Sequence, residues 1–483
     1  MTLKQKTITG LIWSFIDSIA NQGITFIIGI ILARLLSPKE FGLIGMLTIF
    51  IAISQSFIDS GFRQALIRKQ NCTQTDYSTV FYFNIVVGVF FYFILFLCSK
   101  SIGVFFNEPI LKDLIRVFGL SLIINSFTII QSTLLTKRID FKLQAKISLI
   151  ASFISGIISI YMAYTGWGVW SLVALALIKY TINSLLLWLW NQWKPIWYFS
   201  QNSFNELFTF GSKLLVSGLI DTIYRNVYYL VIGKYFSAVE LGFYTQADQF
   251  QSLPSSSLQG IIGRVSYPVL STIQNDMQRL RENYKKIIRS TMLITFVLML
   301  GMAAVARPMI LTLIGEKWEP CIIYLQMLCF VGMFYPLHSL NLNMLQVQGR
   351  SDLFLRIEIV KKILAIPIII IGVFWGIKIM ILGMMLLTLV SFYLNSYWSG
   401  RLIGYSSLEQ IKDILPSFLL AITMSSVVFT EGIIFTMSPL PLLIIQLITG
   451  AMLTFGLCEV FHFKDYTYIK EIVKDKYLML KKR

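Results

Sequence analysis

A nine-residue pattern occurs twice in this chain, the second copy 200 positions after the first. The first copy carries Arg34, Ser37, Glu40 and Gly42, and the second carries Lys234, Ser237, Glu240 and Gly242 at the same offsets. Each copy ends one long apolar run and begins another. Self-similarity at a fixed period marks a duplicated structural unit. Between apolar runs that unit is a membrane hairpin, and duplicated helical bundles are how alternating-access transporters are built. The class this points to is a transporter.

Composition agrees. Hydrophobic residues make up 56% of the chain and charged residues 13%, against roughly 25% charged in a typical soluble domain. Apolar runs of about 18 residues or more can cross a hydrocarbon core about 30 Å thick. They recur along the whole length, which predicts an all-α polytopic membrane protein. Fourteen spans are expected, at about 8–33, 41–60, 79–98, 114–135, 144–164, 169–190, 207–232, 243–268, 288–310, 321–346, 357–375, 378–399, 414–433 and 440–461. The eighth is the most polar, crowded by Gln246, Asp248, Gln249 and Gln251, and is retained because the repeat sets it opposite the second. Such a helix survives only facing a bundle interior or a water-filled cavity. The repeat divides the chain into a six-helix lobe over 1–200, a second over 201–400, a helix pair over 401–462 and a basic tail over 463–483. Both hairpins run the same way through the membrane, so the repeats are parallel. Arg138 and Asp140 after the fourth span are echoed by Arg350 and Asp352 after the tenth. Pro254, Pro336 and Pro367 are candidate bends.

Loop charge sets orientation. One alternate set of loops, with both termini, holds 28 of the 41 lysines and arginines. The positive-inside rule then places both termini in the cytoplasm. Residues 1–7 are too short and polar for a signal peptide's leading regions, so the first span is expected to be kept. The tail reads as an amphipathic helix on the inner leaflet, and the net charge of +17 reflects topology and contact with anionic lipid. Dispersal of the basic residues over many short loops argues against nucleic acid as a partner. The five cysteines are odd in number and scattered, and predict neither a metal site nor a disulfide framework. No G-x-x-x-x-G-K-[ST] loop is present to bind ATP, and no long outer loop is present to house an active site. An enzyme is not expected, and no cofactor is implied. The tryptophans Trp188, Trp190, Trp193 and Trp197 read mostly as an interfacial belt.

Polar residues within the spans are the candidate functional groups. The first span carries Ser14, Asp17, Ser18, Asn21, Gln22 and Thr25 on one helical face. Its repeat partner carries Lys213, Ser217, Asp221, Arg225 and Asn226. An ionised group at the bilayer centre costs about 2.5–3.5 kcal/mol on insertion scales. Asp221 and Arg225, at i and i+4, either neutralise each other or serve function. Asp17 has no basic residue at helical spacing, which favours lining or ion coupling, with Asp221 and Asp248 as further ion-coupling candidates. Lys179, Lys213, Arg225 and Arg264, with Asn21 and Gln22, are the substrate-binding candidates. Sharing one cavity, those four cations would outnumber the acids and suit a phosphate or pyrophosphate. Arg264 could instead snorkel to the cytoplasmic face. Arg34, Lys234, Glu40 and Glu240 fit a structural role in the hairpins, and His338 reads as a satisfied polar group.

Gly10, Trp13 and Ser14, the run Ile31 to Leu43 with Arg34, Ser37, Pro38, Glu40 and Gly42, and Asp59, Gly61, Phe62 and Ala65 resemble bacterial polysaccharide flippases. These are the Wzx and teichuronic-acid exporter-like members of the multidrug/oligosaccharidyl-lipid/polysaccharide exporter superfamily. The resemblance implies a V-shaped pair of lobes in the bacterial inner membrane. It implies flipping of an undecaprenyl-pyrophosphate-linked oligosaccharide to the outer leaflet, driven by an ion gradient, with polysaccharide polymerases and glycosyltransferases as functional partners. A multidrug efflux antiporter is the alternative on the same fold. A net positive cavity disfavours its cationic cargo.

Overall fold

The computed structural model describes residues 3–463, 465–467 and 470, and the side chains among them except those of 3–12, 14, 15, 261–265, 267 and 268. Arg264's side chain and nearly all of the basic tail therefore lie outside the described residues. The described chain is helical and contains no strand. In order the helices are α1 (Leu3–Leu35), α2 (Pro38–Asp59), α3 (Phe62–Arg68), α4 (Gln74–Phe106), α5 (Leu111–Phe118), α6 (Leu120–Ser126), α7 (Ile129–Lys137), α8 (Phe141–Tyr164), α9 (Val169–Asn191) and α10 (Gln201–Tyr235). They continue as α11 (Ala238–Thr272), α12 (Met277–Ala304), α13 (Ala306–Leu313), α14 (Cys321–Gly332), α15 (Tyr335–Val347), α16 (Ser351–Trp375), α17 (Ile377–Ile403), α18 (Ser407–Ile434) and α19 (Pro439–Val460).

Eleven described helical stretches are long and apolar enough to cross a membrane. The seventh, eighth and eleventh expected spans (α10, α11 and α16) are long enough but carry too much charge or polarity to join them. The fourth expected span is broken into α5, α6 and α7. At its second break Ser126 Oγ donates to Ile123 O at 2.7 Å and Thr128 Oγ1 to Asn125 O at 2.7 Å, and such back-bonding bends helices. The tenth is split into α14 and α15 at Pro336, which has no N–H to give to the preceding turn. Pro254 and Pro367 lie inside unbroken helices. The loop expected after the second span contains the short helix α3, entered through Ser60 and Gly61, both left-handed.

The chain forms two compact units, Met1–Thr245 and Gln246–Arg483. In the first, the repeated pattern has a visible physical basis. Ser37 precedes α2 and its backbone N–H donates to Glu40 Oε2 at 2.6 Å. In the second copy Glu240 N donates to Ser237 Oγ at 3.1 Å. Both are capping contacts that satisfy otherwise orphaned N–H groups at a helix start. Lys234 Nζ donates to Phe105 O at 2.5 Å and lies 4.5 Å from the centre of the Phe105 ring. Trp193 is buried with Phe62, Phe81 and Leu134, its indole donating to Gln74 at 2.8 Å, whereas Trp197 is 95% exposed. The tryptophan cluster is thus divided between core and surface, because the Trp193 ring packs into the aromatic core while its indole N–H keeps an acceptor in Gln74.

In the second unit α12 packs along α18, α14 and α15. Its buried polar centre is Asn341, whose Oδ1 accepts from Tyr284 at 3.0 Å, Ser399 at 2.5 Å and Gln410 at 3.2 Å. Four helices are tied together by one amide.

Candidate functional site

The first unit gathers polar side chains among α1, α8 and α9. Serine on α8 falls at 148, 152, 155 and 159, one helical face, which meets the polar face of α1. Gly156 on the same helix leaves space that the Ile28 side chain fills, so the two helices approach closely. Asp17 Oδ1 accepts from Asn21 Nδ2 at 2.5 Å and from Ser148 Oγ at 2.5 Å. Ser152 Oγ donates to Asn21 Oδ1 at 2.7 Å. Gln22 Nε2 reaches Ser18 Oγ at 3.4 Å. Asp17 is half-buried, and no intrahelical base neutralises it; α9 supplies Lys179, and the two charges attract.

Beside this network is a cavity of about 270 Å³ lined by Thr25, Ser152, Ser155, Lys179 and Tyr180 over apolar Ile28, Leu172 and Leu175. The Lys179 ammonium and several hydroxyls at the cavity, with the Asp17 carboxylate in the adjoining network, can exchange a proton or hold a small ion. Among the described residues no three His, Cys, Asp or Glu side chains converge as metal ligands would.

The structure brings Asp17, Asn21 and Lys179 together. Gln22 is one turn from Ser18 on the same helix. Lys213, Asp221 and Arg225 lie along α10 and are exposed, and none lines the Lys179 cavity. Asp248 is half-buried on α11 in the second unit. His338 meets Asn395 Nδ2 at 3.3 Å through Nδ1, while its buried Nε2 has no partner among the described residues. Sequence reasoning missed Ser148, Ser152, Ser155 and Tyr180. The serine stripe was available as a signal, because its spacing matches that of the stripe on α1.

The profile of a family described as "Polysaccharide biosynthesis protein" matches residues 31–323, more than half of the chain. The chain belongs to the polysaccharide biosynthesis protein family. It is similar to the lipopolysaccharide biosynthesis protein WzxC of Escherichia coli K12, 26% identical over 445 residues, covering 90% of this chain and 89% of that protein. It is also similar to the teichuronic acid biosynthesis protein TuaB of Bacillus subtilis 168, 24% identical, covering 73% of each. Among solved structures, the lipid II flippase MurJ in an inward closed conformation superposes with a TM-score of 0.76 at 17% identity, covering 94% of this chain and 99% of that one. An inward-facing multidrug resistance transporter of the MATE family gives 0.57 at 15% identity, covering 86% and 95%. The fold is therefore shared with both, and this family member is a multi-pass membrane protein.

Proposed function

We propose that this polysaccharide biosynthesis protein flips an undecaprenyl-pyrophosphate-linked oligosaccharide from the inner to the outer leaflet of the bacterial inner membrane. It works by alternating access and is coupled to an ion gradient. Family membership supports polysaccharide assembly as the setting, and relatives named for lipopolysaccharide and teichuronic acid biosynthesis support an envelope polymer.

The observation that carries the reading is the charged face of α10. Lys213, Ser217, Asp221 and Arg225 recur every four residues and are all exposed. Ionised groups facing hydrocarbon are expensive, so this face meets water. Two bases against one acid leave it cationic, as a pyrophosphate requires, and Arg225 can grip phosphate oxygens through two parallel N–H bonds. The Asp17–Lys179 network is the coupling element, since adding or removing one positive charge there changes its balance. Glycosyltransferases that build the lipid-linked unit and a polymerase that consumes it are the functional partners.

A clean deletion tests the reading. Lipid-linked repeat units should accumulate on the cytoplasmic leaflet, and the wild-type gene should clear them. Normal surface polysaccharide in a non-redundant deletion would overturn it.

A further inference from the structure

A cavity of about 710 Å³ opens in the second unit among α12, α18 and the end of α19. Its lining is graded. One end carries Arg289, Asp413 and Asp465, and the rest, apart from Thr423 and His462, is apolar, with Leu419, Leu420 and Leu457. The grading follows the helices themselves. Arg289 is the last charge of α12 before a long uncharged, mostly apolar stretch, and Asp413 stands at the same transition in α18. The charged end therefore lies where headgroups meet hydrocarbon. After α19 the chain turns back through His462 at φ 46°, with Phe463 N donating to Cys458 O at 3.0 Å. That turn brings Asp465 over α12.

The three charged groups are only partly used by one another. Arg289 Nε bonds Asp465 Oδ2 at 3.2 Å, and Asp413 Oδ2 accepts from Tyr405 at 2.7 Å. Among the described residues the terminal nitrogens of Arg289 and the second oxygen of Asp413 have no partner. Burial outweighs the pull of Arg289 and holds the Asp465 carboxyl above the usual carboxylate range. One base and two acids call for a ligand carrying both signs of charge.

We propose that this cavity binds a zwitterionic aminophospholipid. Its phosphate meets Arg289, its primary ammonium meets Asp413 and Asp465, and an acyl chain lies along Leu419, Leu420 and Leu457. A purely anionic headgroup would face two carboxylates for one guanidinium. A quaternary headgroup keeps the positive charge but has no N–H to donate. The site stands apart from the flippase reading and needs only that the chain spans a membrane.

Native mass spectrometry of the full chain in detergent tests this, using phosphatidylethanolamine, phosphatidylcholine and phosphatidylglycerol of identical acyl chains. Phosphatidylethanolamine should be retained roughly tenfold over the other two, the scale of a lost charge-assisted hydrogen bond. Equal retention of all three, or preference for phosphatidylglycerol, overturns the proposal. Asp413→Asn, monodisperse and folded, should erase most of that preference, and a preference it leaves intact removes Asp413 from the site. Should the variant fail to fold, the headgroup series on the unaltered chain still decides.

Discussion

The backbone carbonyl of Ala238 occupies the space a side chain on Gly42 would need, and the carbonyl of Pro38 does the same to Gly242. The two copies of the repeated pattern thus touch each other reciprocally, each glycine receiving the first residue of the other helix. Only hydrogen fits at either position, and this is the physical content of the glycine in the pattern.

Gly42→Ala and Gly242→Ala should each destabilise this arrangement by about 1–3 kcal/mol, the usual cost of overpacking. One displacement relieves both clashes, so the double variant should lose less than the sum. Thermal unfolding of the purified protein measures it, and unchanged midpoints would count against the contact.

Asp17→Asn keeps the shape and most hydrogen bonds of the network but cannot ionise. Export into proteoliposomes should then lose its dependence on an imposed proton or sodium gradient, while Ser148→Ala, which removes one donor to Asp17, should weaken transport less. A gradient response retained by Asp17→Asn assigns coupling elsewhere.

Arg225→Ala should abolish export without lowering the protein's abundance, and Arg225→Lys should restore only part, because the planar fork is lost. If Arg225 serves only to balance Asp221, the Asp221→Ala/Arg225→Ala pair would export fully. Complementation of the deletion, with abundance measured by immunoblot, separates the two results.

Asn341→Leu removes the acceptor shared by Tyr284, Ser399 and Gln410, all buried. Leaving such donors unsatisfied costs about 1–3 kcal/mol each, so the folded yield should collapse, whereas Tyr284→Phe should lower the thermal midpoint only modestly. Equal stability of the two variants would contradict the hub.

Cysteines placed at Lys39 and Lys317 should react in intact cells with a membrane-impermeant reagent, and those at Lys4 and Lys482 should not. Cys98, exposed, and Cys72, half-buried, must first be replaced. Labelling at position 4 or 482 would break the fourteen-span reading.

The sequence by itself determined the helical membrane class, the positions of most spans, the duplicated hairpin and the polar face of α1. These are period and composition effects, written locally and legible without coordinates. Even α11, too polar to stand out by hydropathy, was placed by its offset from α2. Tertiary structure alone decided which polar faces meet. Lys179 was read with Lys213 and Arg225 as one set of cations, yet the charge it feels is that of Asp17, because α9 packs beside α8 and α8 beside α1. Ser148 and Ser152 acquired meaning only as donors to Asp17 and Asn21. The glycine of the repeated pattern had no assigned role until the carbonyl facing it was seen. Periodicity fixes the face on which a side chain stands, but the partner of that face comes from a helix more than a hundred residues away, and no local pattern names it.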